Sequence, residues 1–106
     1  MMEREEKYYN IVEDMYPGLV VRKISEEYKD SYGLILSAER NVSNSKGIPV
    51  IDYYHEVECE LSGGWQTGEL YEFGVSYEFQ AWIDKQNDLH IEWENPGIAK
   101  LYIVDL

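Results

Sequence analysis

The chain has 106 residues, a formal net charge of −12, one cysteine, ten tyrosines and three tryptophans. That length sets a single domain, residues 1–106, able to fold without staples around a modest core. The lone Cys59 excludes an internal disulfide and a multi-cysteine metal site. The acid excess opposes binding to nucleic acid or to an anionic membrane.

No run approaches the roughly 18 apolar residues of a membrane span. Residues 1–7 are charged and lack an apolar signal core. The expectation is therefore a cytoplasmic, reducing environment, in which the sequon Asn41-Val42-Ser43 carries little weight. The charge is uneven. Residues 1–46 hold nine acids against seven bases, whereas residues 47–106 hold twelve against two, Lys85 and Lys100.

Glu3 to Met15 reads as an amphipathic helix, with Tyr8, Ile11, Val12 and Met15 at i, i+3, i+4 and i+7. Glu3, Glu5 and Glu6 suit the positive end of its dipole, and Pro17-Gly18 ends it. Leu19 to Glu27 and Tyr32 to Ala38 read as strands of a first hairpin, turning at Lys29-Asp30-Ser31. Glu39 to Gly47 is polar and loop-like. Ile48 to Leu61 reads as a second long strand, with Pro49 near its start. Ser62-Gly63-Gly64 then turns the chain.

Glu69 to Asp84 reads as one long strand. Tyr71, Phe73, Val75, Tyr77, Phe79, Ala81 and Ile83 fall on one side, and mostly small or polar residues on the other. A helix over 77–86 competes for the same residues, since Phe79, Trp82 and Ile83 also fit i, i+3, i+4 and Ser76 could cap them. Lys85 to Asp88 turns the chain into the alternating run Leu89, Ile91, Trp93. Asn95-Pro96-Gly97 is a turn or bulge, and Ile98 to Val104 closes the sheet.

These elements predict an α+β fold: an N-terminal helix on a twisted antiparallel sheet of five or six strands, arranged as a meander of hairpins. In element order alone it is similar to the cystatin-like and the nuclear-transport-factor-2-like arrangements of helix and curved sheet.

Parity organises the chemistry. Across the long strands the apolar residues are mainly odd and the carboxylates mainly even. A hairpin centred on Gln86 would set Trp82 opposite His90, Gln80 opposite Glu92 and Glu78 opposite Glu94. One centred on Gly63 would set Tyr54 opposite Glu72. Glu56, Glu58, Glu72, Glu78, Glu92 and Glu94 would then share one face with Tyr54, Trp82 and His90, and almost no base lies near them in sequence. Like charges set opposite one another cost about 0.2–1 kcal/mol each. Concentrating them, with aromatic residues interleaved, suits a protein-binding face.

Catalytic signatures are missing. The sequence has no phosphate-binding glycine loop, no G-x-S-x-G, no H-E-x-x-H and no EF-hand pattern. His55 and Cys59 lie four apart on a strand, about 13 Å, too far for a nucleophile pair. His90 and Glu92 with Glu78 or Glu94 would make only an unspecific metal set. No catalytic residue, cofactor or metal is therefore expected.

The expected function is a non-enzymatic inhibitor that binds a basic protein, a nuclease or nuclease toxin among the candidates. Immunity proteins of bacterial toxin systems and phage nuclease inhibitors do such work, and the likeness is one of size, charge and architecture. Two other classes stay open. One is a small-ligand module with an aromatic pocket of Tyr53, Tyr71, Phe73 and Tyr77. The other is an assembly component, homodimer included, that adds strands along an edge such as Ile98 to Val104.

Overall fold

The period of 3.6 in the first residues winds α1, Met2–Met15, and its Tyr8 and Val12 bury against the sheet. The computed structural model describes residues 2–38, 42, 43, 47, 49–53 and 71–104. After α1 the chain turns through Pro17 and Gly18 into β1, Val21–Lys23, and then a single 3-10 turn, Ile24–Glu26. β2 is Gly33–Ser37. Further on come β3, Tyr71–Glu72; β4, Val75–Ser76; α2, Tyr77–Lys85; β5, Leu89–Asn95; and β6, Ile98–Ile103.

The α+β expectation holds: an N-terminal helix lies on an antiparallel sheet. That sheet has four strands among the described residues, in the order β1-β2-β6-β5, and β3 and β4 form a separate two-stranded ribbon. The order is not a simple meander, because β2 pairs with β6. β6, expected to close the sheet and to be open as an edge, is instead an interior strand flanked by β2 and β5. Most of the expected strand Ile48 to Leu61 lies outside the described residues. Within it, Ile51 bridges to Val75 and Val50 accepts the Ser76 N–H at 2.9 Å.

Register sorts the side chains. Val21, Leu36 and Ala99 align across three strands, as do Leu34, Leu101 and Ile91. These residues face α1 and α2 and build the core with Tyr8, Val12, Tyr16, Phe79 and Ile83. Lys23 at the edge of that face pairs with Glu6 of α1 and lies 5.2 Å from the Tyr9 ring, tying helix to sheet. On the opposite face Arg22, Ile35, Lys100 and Glu92 align.

Two polar clusters fix α1. Glu5 is 2% exposed, and its Oε2 accepts the Ser25 and Gly33 N–H groups at 3.0 Å each, while Oε1 accepts the Ser25 hydroxyl. Gly33 is required here: its φ is +142°, and a Cβ would lie 2.0 Å from the Leu101 carbonyl oxygen. At the other end Arg4 (2.9 Å) and the Tyr8 hydroxyl (2.6 Å) both donate to Asp88, in the turn between α2 and β5.

The long strand expected over Glu69 to Asp84 is broken into ribbon and helix. Phe73 and Gly74 both have left-handed backbones, φ 51° and 77°. Two such residues make the tight two-residue turn that suits a twisted hairpin, so Tyr71 folds back onto Ser76 and Glu72 onto Val75. From Tyr77 the helical spacing wins. Phe79 and Ile83 are buried, whereas Tyr77 and Ala81, which a strand would turn inward with them, are exposed. Helix α2 gains its packing from α1: Phe79 meets Tyr16 edge-on at 5.5 Å, and Trp82 meets Tyr8 edge-on at 5.9 Å. Ser76 holds the cap position expected of it, yet its side chain makes no cap bond. Its Oγ is the buried side-chain polar atom without a partner among the described residues.

Candidate functional site

Among the described residues β5 is an edge strand of the sheet, α2 runs beside it, and the β3–β4 turn stands near its far end. Between them lies a cleft of about 500 Å³. Val75, Ile83, Leu89 and Ile91 give it an apolar floor, and Phe73 and Trp93 stand at one end. Its remaining polar lining is Gln80, His90 and three carboxylates: Glu72, Asp84 and Glu92. No lysine or arginine is among the described lining residues.

Each lining group is positioned by an element already described. The two left-handed residues of the ribbon turn hold the Phe73 side chain outward, 75% exposed. The Phe73 carbonyl accepts the Trp93 indole N–H at 2.6 Å, which fixes the turn against β5. Gly74 leaves room for this approach, since a Cβ there would lie 3.1 Å from the Trp93 ring. Tyr53 supports Trp93 from beside it, edge-on at 5.4 Å. Asp84 accepts from Gln80 one helical turn earlier at 2.9 Å, and His90 Nε2 lies 3.0 Å from Glu92 Oε1.

The expected binding face is brought together only in part. Glu72, His90 and Glu92 do meet, on the cleft. Glu78 and Trp82 do not share a face with them, because both are on α2 rather than on a strand. Glu78 accepts the Tyr16 hydroxyl at 3.0 Å, and Trp82 stacks on Phe79 at 5.9 Å and packs on Tyr8, so it is a packing residue between the two helices. The paired registers proposed around Gln86 are overturned by the same helix. Glu94 sits in a bulge between Trp93 and Asn95 and pairs with Lys100 at 3.0 Å. Tyr54, Glu56 and Glu58 lie outside the described residues, as do His55 and Cys59.

Lys100 also alters the charge expected of the outer sheet face. It is 8% exposed, aligned with Glu92 across β6 and β5, and 4.2 Å from the Tyr28 ring. The hydrogen bond to Glu94 raises its pKa above the ordinary lysine value. Glu94 on the outer sheet face is therefore paired with a lysine, whereas Glu72 and Asp84 line the cleft with no lysine or arginine among the described lining residues.

The four tyrosine and phenylalanine residues expected to line a ligand pocket scatter. Tyr71 is buried and donates to the Pro49 carbonyl at 2.9 Å, Tyr77 is exposed on α2, Phe73 tips the ribbon and Tyr53 supports Trp93. The space between α1 and the sheet is filled by Tyr8, Val12, Leu34, Leu36 and Leu101. Among the described residues no three His, Cys, Asp or Glu side chains come together as a metal site, and no helix is long and apolar enough to cross a membrane.

Sequence reasoning missed Asp84 and the outward role of Phe73. The signal for the second was the Phe73-Gly74 pair itself, since a glycine in the middle of a strand pattern marks a turn or bulge. No family, no curated protein and no solved structure matches the chain.

Proposed function

We propose that this chain is a non-enzymatic acidic binding protein that neutralises a basic protein partner by receiving a cationic segment in the cleft between α2 and β5. The observation that carries the reading is the pairing of three carboxylates, without a lysine or arginine among the described lining residues, with a Phe73 side chain held 75% exposed beside them. A left-handed backbone costs a non-glycine residue about 1–2 kcal/mol, and here burial of the ring does not offset it. Strain of that kind collects at binding sites.

In this reading Glu72, Asp84 and Glu92 steer and pair with lysine or arginine, and Phe73 is the anchor. A nuclease or nuclease toxin would present the basic groove such a surface fits. Charge steering makes association fast and salt-sensitive.

The test is capture from nuclease-treated lysate at low and high salt, with the native chain and the Glu72→Lys/Glu92→Lys double variant compared side by side. A basic protein held by the native chain at low salt, released at high salt and lost by the variant is the expected result. Equal capture by both chains, or none by either, refutes the reading.

A further inference from the structure

We propose that the partner's cationic segment docks as a fifth strand on the outer edge of β5, an inference that rests on the binding reading above. Among the described residues the sheet ends at β5. The Val104 N–H donates to the Asp88 carbonyl at 2.8 Å, which makes 88 and 104 a hydrogen-bonded pair of the antiparallel ladder. Such pairs alternate, so the backbone groups of His90 and Glu92 point inward to Tyr102 and Lys100. Those of Leu89, Ile91 and Trp93 point outward, and no backbone group among the described residues meets them.

The cleft follows this edge. Leu89, His90, Ile91, Glu92 and Trp93 all line it, although successive side chains of a strand point to opposite faces. A cavity that touches five consecutive residues runs along the backbone rather than on one face. Its length from Leu89 to Trp93 is about 13 Å, four strand steps, enough for a partner segment of about five residues. The bulge after Trp93 ends the pairing, and the Trp93–Phe73 hydrogen bond closes that end.

The charge selects the occupant. A basic strand would set its cations against Glu92, Glu72 and Asp84 while its ladder bonds fill the outward groups. A second copy of this chain would bring Glu92 and Glu94 against another acidic edge on a molecule of charge −12.

The probe is a blocked peptide of alternating lysine and valine, seven residues long, added to the full 15N-labelled chain. Amide exchange of Leu89, Ile91 and Trp93 should slow at least tenfold at saturation, with His90 and Glu92 unchanged. Backbone N-methylation at one alternate set of peptide residues should weaken binding at least tenfold, and at the other set should leave it unaltered. If both methylated peptides bind like the parent and the three amides stay unprotected, strand addition is overturned while the acidic cleft reading stands. If the parent peptide does not bind, or binds the Glu72→Lys/Glu92→Lys variant equally well, both fall.

Discussion

Replacing Glu5 separates its hydrogen-bonding role from its charge. Its Oε2 accepts two backbone N–H groups, from Ser25 and Gly33, and its Oε1 accepts the Ser25 hydroxyl. Glu5→Ala strands both N–H donors, the Gly33 one fully buried. At roughly 1–3 kcal/mol per stranded donor, with the part-buried Ser25 at the low end, the loss is about 3 kcal/mol. That is a large share of the ~5–15 kcal/mol that stabilises a domain of this kind. At about 4–8 °C per kcal/mol it lowers Tm by roughly 12–24 °C. Glu5→Gln should behave differently. Its carbonyl can take the Oε2 place and keep both backbone bonds, and its amide can donate to a rotated Ser25 hydroxyl. Only the charge assistance goes, about 1 kcal/mol. Urea unfolding followed by tryptophan fluorescence measures both variants. A Glu5→Ala loss of 1 kcal/mol or less would refute the clamp. So would a Glu5→Gln variant as damaged as the alanine.

Asp88 gives an acid limb. Burial pushes its pKa up, but the Tyr8 hydroxyl and the Arg4 guanidinium outweigh this and hold it below the ordinary aspartate value. Its contribution is therefore present above the unfolded value of about 3.9 and is lost as pH falls through the lower folded value. Asp88→Asn should flatten that limb in acid titrations of stability. At the other extreme Tyr8, through burial and then the Asp88 contact, and Tyr71, through burial and then the Asp52 charge, are each pushed up to about 12. Their contribution is full below pH 10 and falls as pH rises toward 12, by up to roughly 2–3 kcal/mol per tyrosine; Tyr8→Phe should remove its own share and one step of the phenolate absorbance titration. Ser76→Ala should be neutral or stabilising in thermal melts, contrary to the ~1 kcal/mol loss usual at a helix cap, because its hydroxyl caps nothing. Phe73→Gly should raise Tm by relieving the left-handed backbone while weakening capture of the basic partner, two readouts that a merely structural turn would not move in opposite directions.

Local pattern made α1 legible, because Tyr8, Ile11, Val12 and Met15 fall at i, i+3, i+4 and i+7, which a strand's period of two does not place on one face. It also made the β1–β2 and β5–β6 hairpins legible through their turns. It failed at 77–85, where Phe79 and Ile83 lie inward whether the chain is helix or strand. The choice there was made by partners far away in sequence, Tyr8 and Tyr16 of α1. The candidate site inherited that ambiguity. Parity carries residues to a common face only along an unbroken strand, so Glu92, His90 and Glu72 came together while Glu78 and Trp82 went elsewhere. Lys100 was legible as a base but not as a neighbour of Glu92 and Glu94, since that placement depends on the register of the β5–β6 hairpin, which a bulge between Trp93 and Asn95 shifts.

The crossing of β2 to β6 shapes how the molecule is made. β2 pairs on one side with its immediate neighbour β1, but on the other with residues roughly sixty to seventy positions later, a separation that slows folding by the loop entropy it must overcome. A nascent chain that has produced β1 and β2 carries an open strand edge of Leu34, Ile35 and Leu36 through the synthesis of both the ribbon and α2. Glu5, by holding Gly33 and Ser25 from α1, can clasp that waiting hairpin before its second partner exists. The clasp then ties the hairpin to α1 on its β1 side and leaves the other edge of β2 free to receive β6.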